Sequence, residues 1–240
     1  MSHLLKEISL EHNGHAVTVL EPCNKVDGRN FWVWRAEFLG AFDYVDRELL
    51  RQGWYVAYYK VSDMYGAPQA IALMKDFHDY ITEKFKLHTK ADLFGFSRGG
   101  LYAVNYALKY PNDVASLYLD APVLDIRSWP GGYGAGPGGA AEWEQCKSIY
   151  GLTEETARSY RQNPVDRIGE LIVSRVPVIL VAGDSDEVVP YAENGARLVE
   201  AYQKEQAPIT VIIKKGVGHH PHSLENPEAI VDFIKANRNV

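Results

Sequence analysis

The hexapeptide Gly95-Phe96-Ser97-Arg98-Gly99-Gly100 follows the short apolar run Ala91–Gly95 and opens the helical pattern LYAVNYAL. A serine on so tight a strand-to-helix turn has its hydroxyl exposed at the carboxyl edge of a sheet, and a Cβ at the flanking glycines would crowd the turn. The helix N-terminus behind it offers unpaired N–H groups and a positive dipole end, suited to a developing oxyanion. Nucleophilic attack on a carbonyl is the chemistry this predicts for Ser97. A serine hydroxyl is weak without an oriented base. The expected base is His219, in Gly216-Val-Gly-His219-His220-Pro-His222 after the run ITVIIKK. His220 competes with it, since adjacent side chains diverge and only one can face Ser97. The imidazole in turn needs an acceptor that fixes its tautomer. Asp186, in Gly183-Asp184-Ser185-Asp186-Glu187 just past PVILVA, takes that role, and Asp184 reads as a turn former. Asp120, in Leu119-Asp120-Ala121-Pro122, is the second candidate acid. The proline leaves it less freedom to reach over. The order Ser97, Asp186, His219 is the Ser…Asp…His order of one known architecture. The cluster His219, His220 and His222 has no nearby Cys or helical His pair, so no metal is expected there.

Strands must carry these residues to one edge. Apolar runs bounded by turn signals predict strands at Leu5–Leu10, Ala16–Leu20, Phe31–Arg35, Trp54–Tyr59, Ala91–Gly95, Ser116–Leu119, Pro177–Ala182 and Ile209–Lys214. Helical spacing predicts Phe42–Gln52, Pro68–Phe85, Ser97–Lys109, Tyr191–Gln203 and Pro227–Asn237. Two antiparallel-looking strands followed by strand–helix alternation describe an α/β sheet with helices on both faces. The alternation breaks between about Ala121 and Arg175. Here lie helix-like segments at Ala140–Tyr150 and Thr153–Gln162, and the glycine-rich run from Pro130 to Gly139. Embedded Trp129 and Trp143 argue for a packed cap rather than a linker. The expectation is one domain, 1–240, with a cap inserted at about 121–175.

Composition narrows the function classes. The 240 residues are 46% hydrophobic and 23% charged, an ordinary globular balance, long enough for a core without staples. Net charge is −6, and Lys and Arg form no stripe, which argues against nucleic acid. Mean hydropathy is −0.24, and no apolar run approaches the roughly 20 residues of a membrane span. Cys23 and Cys146 match no zinc or redox spacing and read as free thiols. The N-terminus lacks a signal-peptide core, so the expected compartment is the cytoplasm, or outside it had a leader been removed.

In GFSRGG, AGDSDEVVP and GVGHH the chain resembles the α/β-hydrolase fold family, from first strand to last helix. The blocks WVWRAEF, GFSRGGLYAVNYA, DAPVLDIRSWPGG and GVGHHPHSLENP look like a bacterial subgroup of carbohydrate-esterase-like hydrolases. The resemblance implies an eight-stranded, mostly parallel sheet and cofactor-free hydrolysis through an acyl-serine. It also implies two backbone oxyanion donors. The first is the N–H of Arg98. The family's frequent His-Gly after the third strand is replaced here by Trp32-Val33-Trp34-Arg35-Ala36-Glu37, from which Arg35 is chosen as the second. The guanidinium groups of Arg35 and Arg98 could face an acidic or hydroxyl-rich substrate. Asp63 and Tyr65 should sit at the same edge. Trp34, Trp129, Tyr133 and Trp143 complete the expected substrate-facing set, because aromatic faces complement sugar rings. The expected substrate is a small-molecule or glycan ester. A serine peptidase of the prolyl-oligopeptidase kind and a ligand-binding protein on a hydrolase scaffold are the rival readings.

Overall fold

The computed structural model of the chain describes residues 5–25 and 28–238. Its strands are β1 (Leu5–His12), β2 (His15–Pro22), β3 (Trp32–Arg35), β4 (Tyr55–Tyr59), β5 (Ala91–Phe96), β6 (Val114–Asp120), β7 (Val178–Gly183) and β8 (Ile209–Lys214). They form one sheet in the order β1-β2-β4-β3-β5-β6-β7-β8. β1 and β2 are a hairpin turning on Asn13-Gly14, both at positive φ, where the backbone twist of a type I′ turn matches that of paired strands. β2 is antiparallel to β4, and every pairing from β4 through β3 to β8 is parallel. This is the mostly parallel eight-stranded sheet that the motifs imply.

The helices are α1 (Tyr44–Arg51), α2 (Pro68–Phe85), α3 (Gly99–Lys109), α4 (Ala140–Tyr150), α5 (Glu154–Arg158), α6 (Ile168–Ser174), α7 (Gly195–Lys204) and α8 (Glu228–Ala236). Successive strand residues face opposite sides, so each strand feeds two cores. Val33, Phe94 and Phe96 pack with Leu49 of α1 and Ile230 and Ile234 of α8. Trp34 and Leu93 pack on the other face with Phe77 of α2, Tyr106 of α3, Leu171 of α6 and Leu198 of α7. A third cluster under the 121–175 segment joins Trp143, Cys146 and Ala157 to Tyr65, Leu101 and Val189.

Several boundaries differ from expectation for local reasons. α3 begins at Gly99 because Ser97 lies at φ 47°, outside any right-handed helix. The helix expected over Thr153–Gln162 is only α5, since Pro164 bars helical backbone at Asn163 and the chain leaves the helix at Ser159. α6 was hidden in the sequence by its shortness and by Gly169 within it. The helix expected from Tyr191 begins only at Gly195, after a break at Asn194. The Asn194 Oδ1 accepts from the amides of Leu124 at 2.8 Å and Asp125 at 3.2 Å, tying the 121–175 segment to the start of α7. Both cysteines are free, Cys23 exposed and Cys146 buried. Burial pushes the Cys146 thiol up to about 12. No helix among the described residues is long and apolar enough to cross a membrane.

Candidate active site

The turn after β5 holds Ser97 from three directions. Its N–H donates to the Asp120 carbonyl at 2.9 Å, and its carbonyl accepts from Gly100 and Val123, each at 2.9 Å. A Cβ on Gly95 would lie 2.9 Å from the Ala103 Cβ, and one on Gly100 would lie 2.6 Å from the Pro122 Cβ. Both glycines are therefore demanded by close approach of the helix and the β6 loop. Arg98 opens α3, where the first amides have no partner within the helix.

The Ser97 Oγ lies 2.8 Å from His219 Nε2, and His219 Nδ1 lies 2.7 Å from Asp186 Oδ2. An ionised carboxylate only accepts, so Nδ1–H donates to Asp186 and the Nε2 lone pair faces the serine hydroxyl. The other Asp186 oxygen accepts from the amides of Val188 at 2.9 Å and Val189 at 2.8 Å. Burial alone would raise the Asp186 carboxyl. The hydrogen bonds from His219, Val189 and Val188 and the field of His219 outweigh it and hold the pKa below the usual carboxylate range. Asp184 points away, accepting from the Gly216 amide at 2.7 Å, the turn-forming role expected of it.

The rival acid is engaged elsewhere. Asp120 Oδ1 lies 2.7 Å from His222 Nδ1, while Oδ2 accepts from the Ser223 amide at 2.8 Å and the Tyr118 hydroxyl at 3.1 Å. The two acids thus take different histidines of one loop. His220, exposed, hydrogen-bonds neither acid among the described residues; burial and its two histidine neighbours lower its pKa.

The expected substrate-facing set divides. Trp34 is buried on the α2–α3 face, against Phe77 and Tyr106, and cannot meet a substrate. Tyr65 is wholly buried, its hydroxyl donating to Gln145 at 2.7 Å, and burial pushes its pKa to about 12. Trp143 is buried too, edge-on to Tyr133, its indole N–H donating to Glu154 at 3.1 Å. Large apolar side chains sink into a core, Trp34 under α2 and α3, and Tyr65 and Trp143 in the cluster beneath the 121–175 segment, which is why these positions misled. Trp129 and Tyr133 are the half-buried members, the Trp129 ring 6.2 Å from that of Tyr65.

Arg35 is corrected on both counts. Its side chain is fully buried, ion-paired with Asp46 at 3.0 Å and lying 4.2 Å over the Phe96 ring. The Ala36 amide donates to Phe94 of β5 at 3.0 Å. Successive strand amides point to opposite neighbours, so the Arg35 N–H faces β4, away from Ser97. Asp46→Asn leaves that guanidinium buried without a counter-charge, at a cost of about 3–5 kcal/mol. Thermal unfolding should therefore show a melting point lower by roughly 6–20 °C.

Glu37, which carried no expected role, lies beside the nucleophile turn. A Cβ on Gly99 would sit 3.3 Å from the Glu37 Cβ. Its buried carboxylate accepts from Arg98 at 3.2 Å, and Asp63, half exposed, accepts from Arg98 at 2.8 Å. The same guanidinium lies between the rings of Phe38 and Tyr65. Burial raises the Glu37 pKa, and Arg98 opposes it. The sequence signal was available: a charged residue two positions past a buried strand must meet a partner at the sheet edge.

The parallel sheet, the glycine-flanked serine turn and the histidine loop over the same edge define an α/β hydrolase. Residues 53–236 match the model of the Esterase family, described as "Putative esterase", and the chain belongs to that family. It is a carboxylic ester hydrolase. Among solved structures, the S-formylglutathione hydrolase of Agrobacterium tumefaciens superposes with a TM-score of 0.65 at 15% identity, covering 100% of this chain and 95% of that one. Dipeptidyl peptidase 4 of Porphyromonas gingivalis superposes with a TM-score of 0.72 at 13% identity, covering 98% of this chain but 35% of that one. At such identities the likeness is one of fold.

Proposed function

We propose that Ser97, His219 and Asp186 are the catalytic triad of a serine esterase that acts on an O-acyl or methyl ester carried by a carbohydrate. The observation that carries this reading is the unbroken chain from the Ser97 hydroxyl through His219 to Asp186, at 2.8 and 2.7 Å. Ser97 Oγ attacks the ester carbonyl and its proton passes to His219 Nε2, while Asp186 stabilises the imidazolium. The tetrahedral oxyanion collapses, the bond to the alcohol breaks, and His219 returns the proton to the departing oxygen. Water then gives His219 a proton and attacks the acyl-serine; the bond to Oγ breaks, His219 returns the proton to Oγ, and the acid leaves. The Arg98 amide is one oxyanion donor. The Glu37–Phe38 turn, the first backbone past the β3 ladder, replaces Arg35 as the source of the second. Each such donor contributes about 3 kcal/mol.

Two features favour a sugar-bearing substrate. Trp129 offers a partly open aromatic face, and the Arg98–Asp63 pair places donors and acceptors beside the serine. A screen of acetylated and methyl-esterified glycans, read as released acid, tests this, with p-nitrophenyl acetate as the minimal ester. Trp129→Ala should raise KM for the best glycan ester about tenfold, roughly 1.4 kcal/mol of binding, and leave KM for p-nitrophenyl acetate within about twofold. Equal effects on both would assign Trp129 to cap packing. Hydrolysis of a proline-linked anilide in preference to any ester would favour a peptidase.

A further inference from the structure

We propose that His219, His220 and His222 form a binding site for a zinc-type transition-metal ion that silences the esterase when filled. The binding stands on the histidines alone, while its inhibitory consequence rests on the triad assigned above. Each residue brings a ring nitrogen within 4.8 Å of the other two. The ring centroids are 4.9, 4.9 and 4.7 Å apart and the planes nearly perpendicular, a propeller of three imidazoles. Tetrahedral zinc, with Zn–N distances of about 2.0–2.1 Å, sets its nitrogens roughly 3.4 Å apart. Closing the cluster takes shifts on the order of 1 Å, and exposed His220 has room to supply them.

The stronger observation lies behind the rings. Metal-bound histidines almost always donate their other ring N–H to a carboxylate, carbonyl or water, which fixes the tautomer and raises ligand basicity. Two of the three already do so, His219 to Asp186 and His222 to Asp120, both at 2.7 Å. Each therefore carries its hydrogen on Nδ1 and a lone pair on Nε2, the form that binds zinc. Ester hydrolysis uses only the first of these pairs. Asp120, fully buried with three donors aimed at it, orients a histidine outside the Ser97–His219–Asp186 chain. A metal site gives that second pair a function. Because His219 Nε2 is also the atom facing the Ser97 hydroxyl, metal and serine proton compete for one lone pair.

The test is calorimetric titration of ZnCl2 into the whole, chelator-treated chain. Wild type and Ser97→Ala should both bind one ion per chain. His220→Asn and His222→Gln, each checked for native circular dichroism, should weaken binding at least tenfold, and Asp120→Asn about 10- to 100-fold. Zinc should inhibit p-nitrophenyl ester hydrolysis with a midpoint matching the calorimetric Kd, reversed by EDTA. No binding, or binding unchanged in His220→Asn and His222→Gln, overturns the site. Binding without inhibition overturns the competition. Ester turnover with no zinc bound at the cluster leaves the triad standing and removes the metal, whereas zinc bound by a chain with no ester turnover does the reverse.

Discussion

Ser97→Ala should lower kcat for ester hydrolysis about a million-fold, the scale seen when the nucleophile of a working triad is lost. In the proposed mechanism the hydroxyl is the atom that forms the acyl bond, a role neither neighbour takes. Arg98 beside it is tied to Glu37 and Asp63, and His219 without a serine can at best activate water. The fold should be indifferent, because alanine carries the same Cβ at φ 47° and the backbone bonds of the turn need no side chain. Ser97→Ala/His219→Ala should be hardly slower than either single variant, since the pair acts as a unit. A fluorophosphonate probe should label wild type and leave Ser97→Ala unlabelled. Labelling that survives would place the nucleophile on another residue.

The sheet was legible because its central strands β3, β5, β6 and β7 are buried almost throughout and read as short apolar runs between turn signals, while β1, β2 and β8, more exposed, still carry recurring apolar residues. All eight expected strands are there, with ends moved by a residue or two. The turns that carry Ser97 and His219 were legible for a different reason: glycine marks places where a Cβ would clash or where the backbone takes a positive φ, as at Gly95, Gly100 and Gly216, so local sequence points to local geometry. The remaining positions depend on contacts that no local pattern encodes. Arg35 looks like a surface cation after a strand until Asp46 of α1 is brought against it. Trp34 and Trp143 are aromatic in either role, and only the packing of α2, α3 and the 121–175 segment decides that they are core. Pairing of the acids is likewise tertiary. The two carboxylates and the histidines of one loop lie 33 positions apart for Asp186 and His219 and 102 for Asp120 and His222.

Those two pairings set the second large effect. Asp186→Asn should keep substrate binding nearly intact and cut kcat on the order of 10⁴-fold, because an amide beside Nδ1 favours the tautomer with its hydrogen on Nε2, and the base is lost. Asp120→Asn should remain within about tenfold of wild type in kcat, since its carboxylate serves His222, Ser223 and Tyr118 and not His219. Its cost should fall on stability, about 1–3 kcal/mol for a buried acceptor set left partly unpaired. The Asp186 pairing also leaves a pH signature in stability. The folded-state pKa of Asp186 is held below its unfolded value, so its ionised pairing stabilises the fold above the unfolded pKa and is lost as pH falls through the folded one. Wild type should therefore exceed Asp186→Asn in melting point most at neutral pH, and the gap should close on acidification. Kinetics of both variants, with melting curves of wild type and Asp186→Asn over that range, give the comparison. Loss of turnover in Asp120→Asn, with Asp186→Asn within tenfold of wild type, would transfer the triad to the earlier strand and make His222 its base.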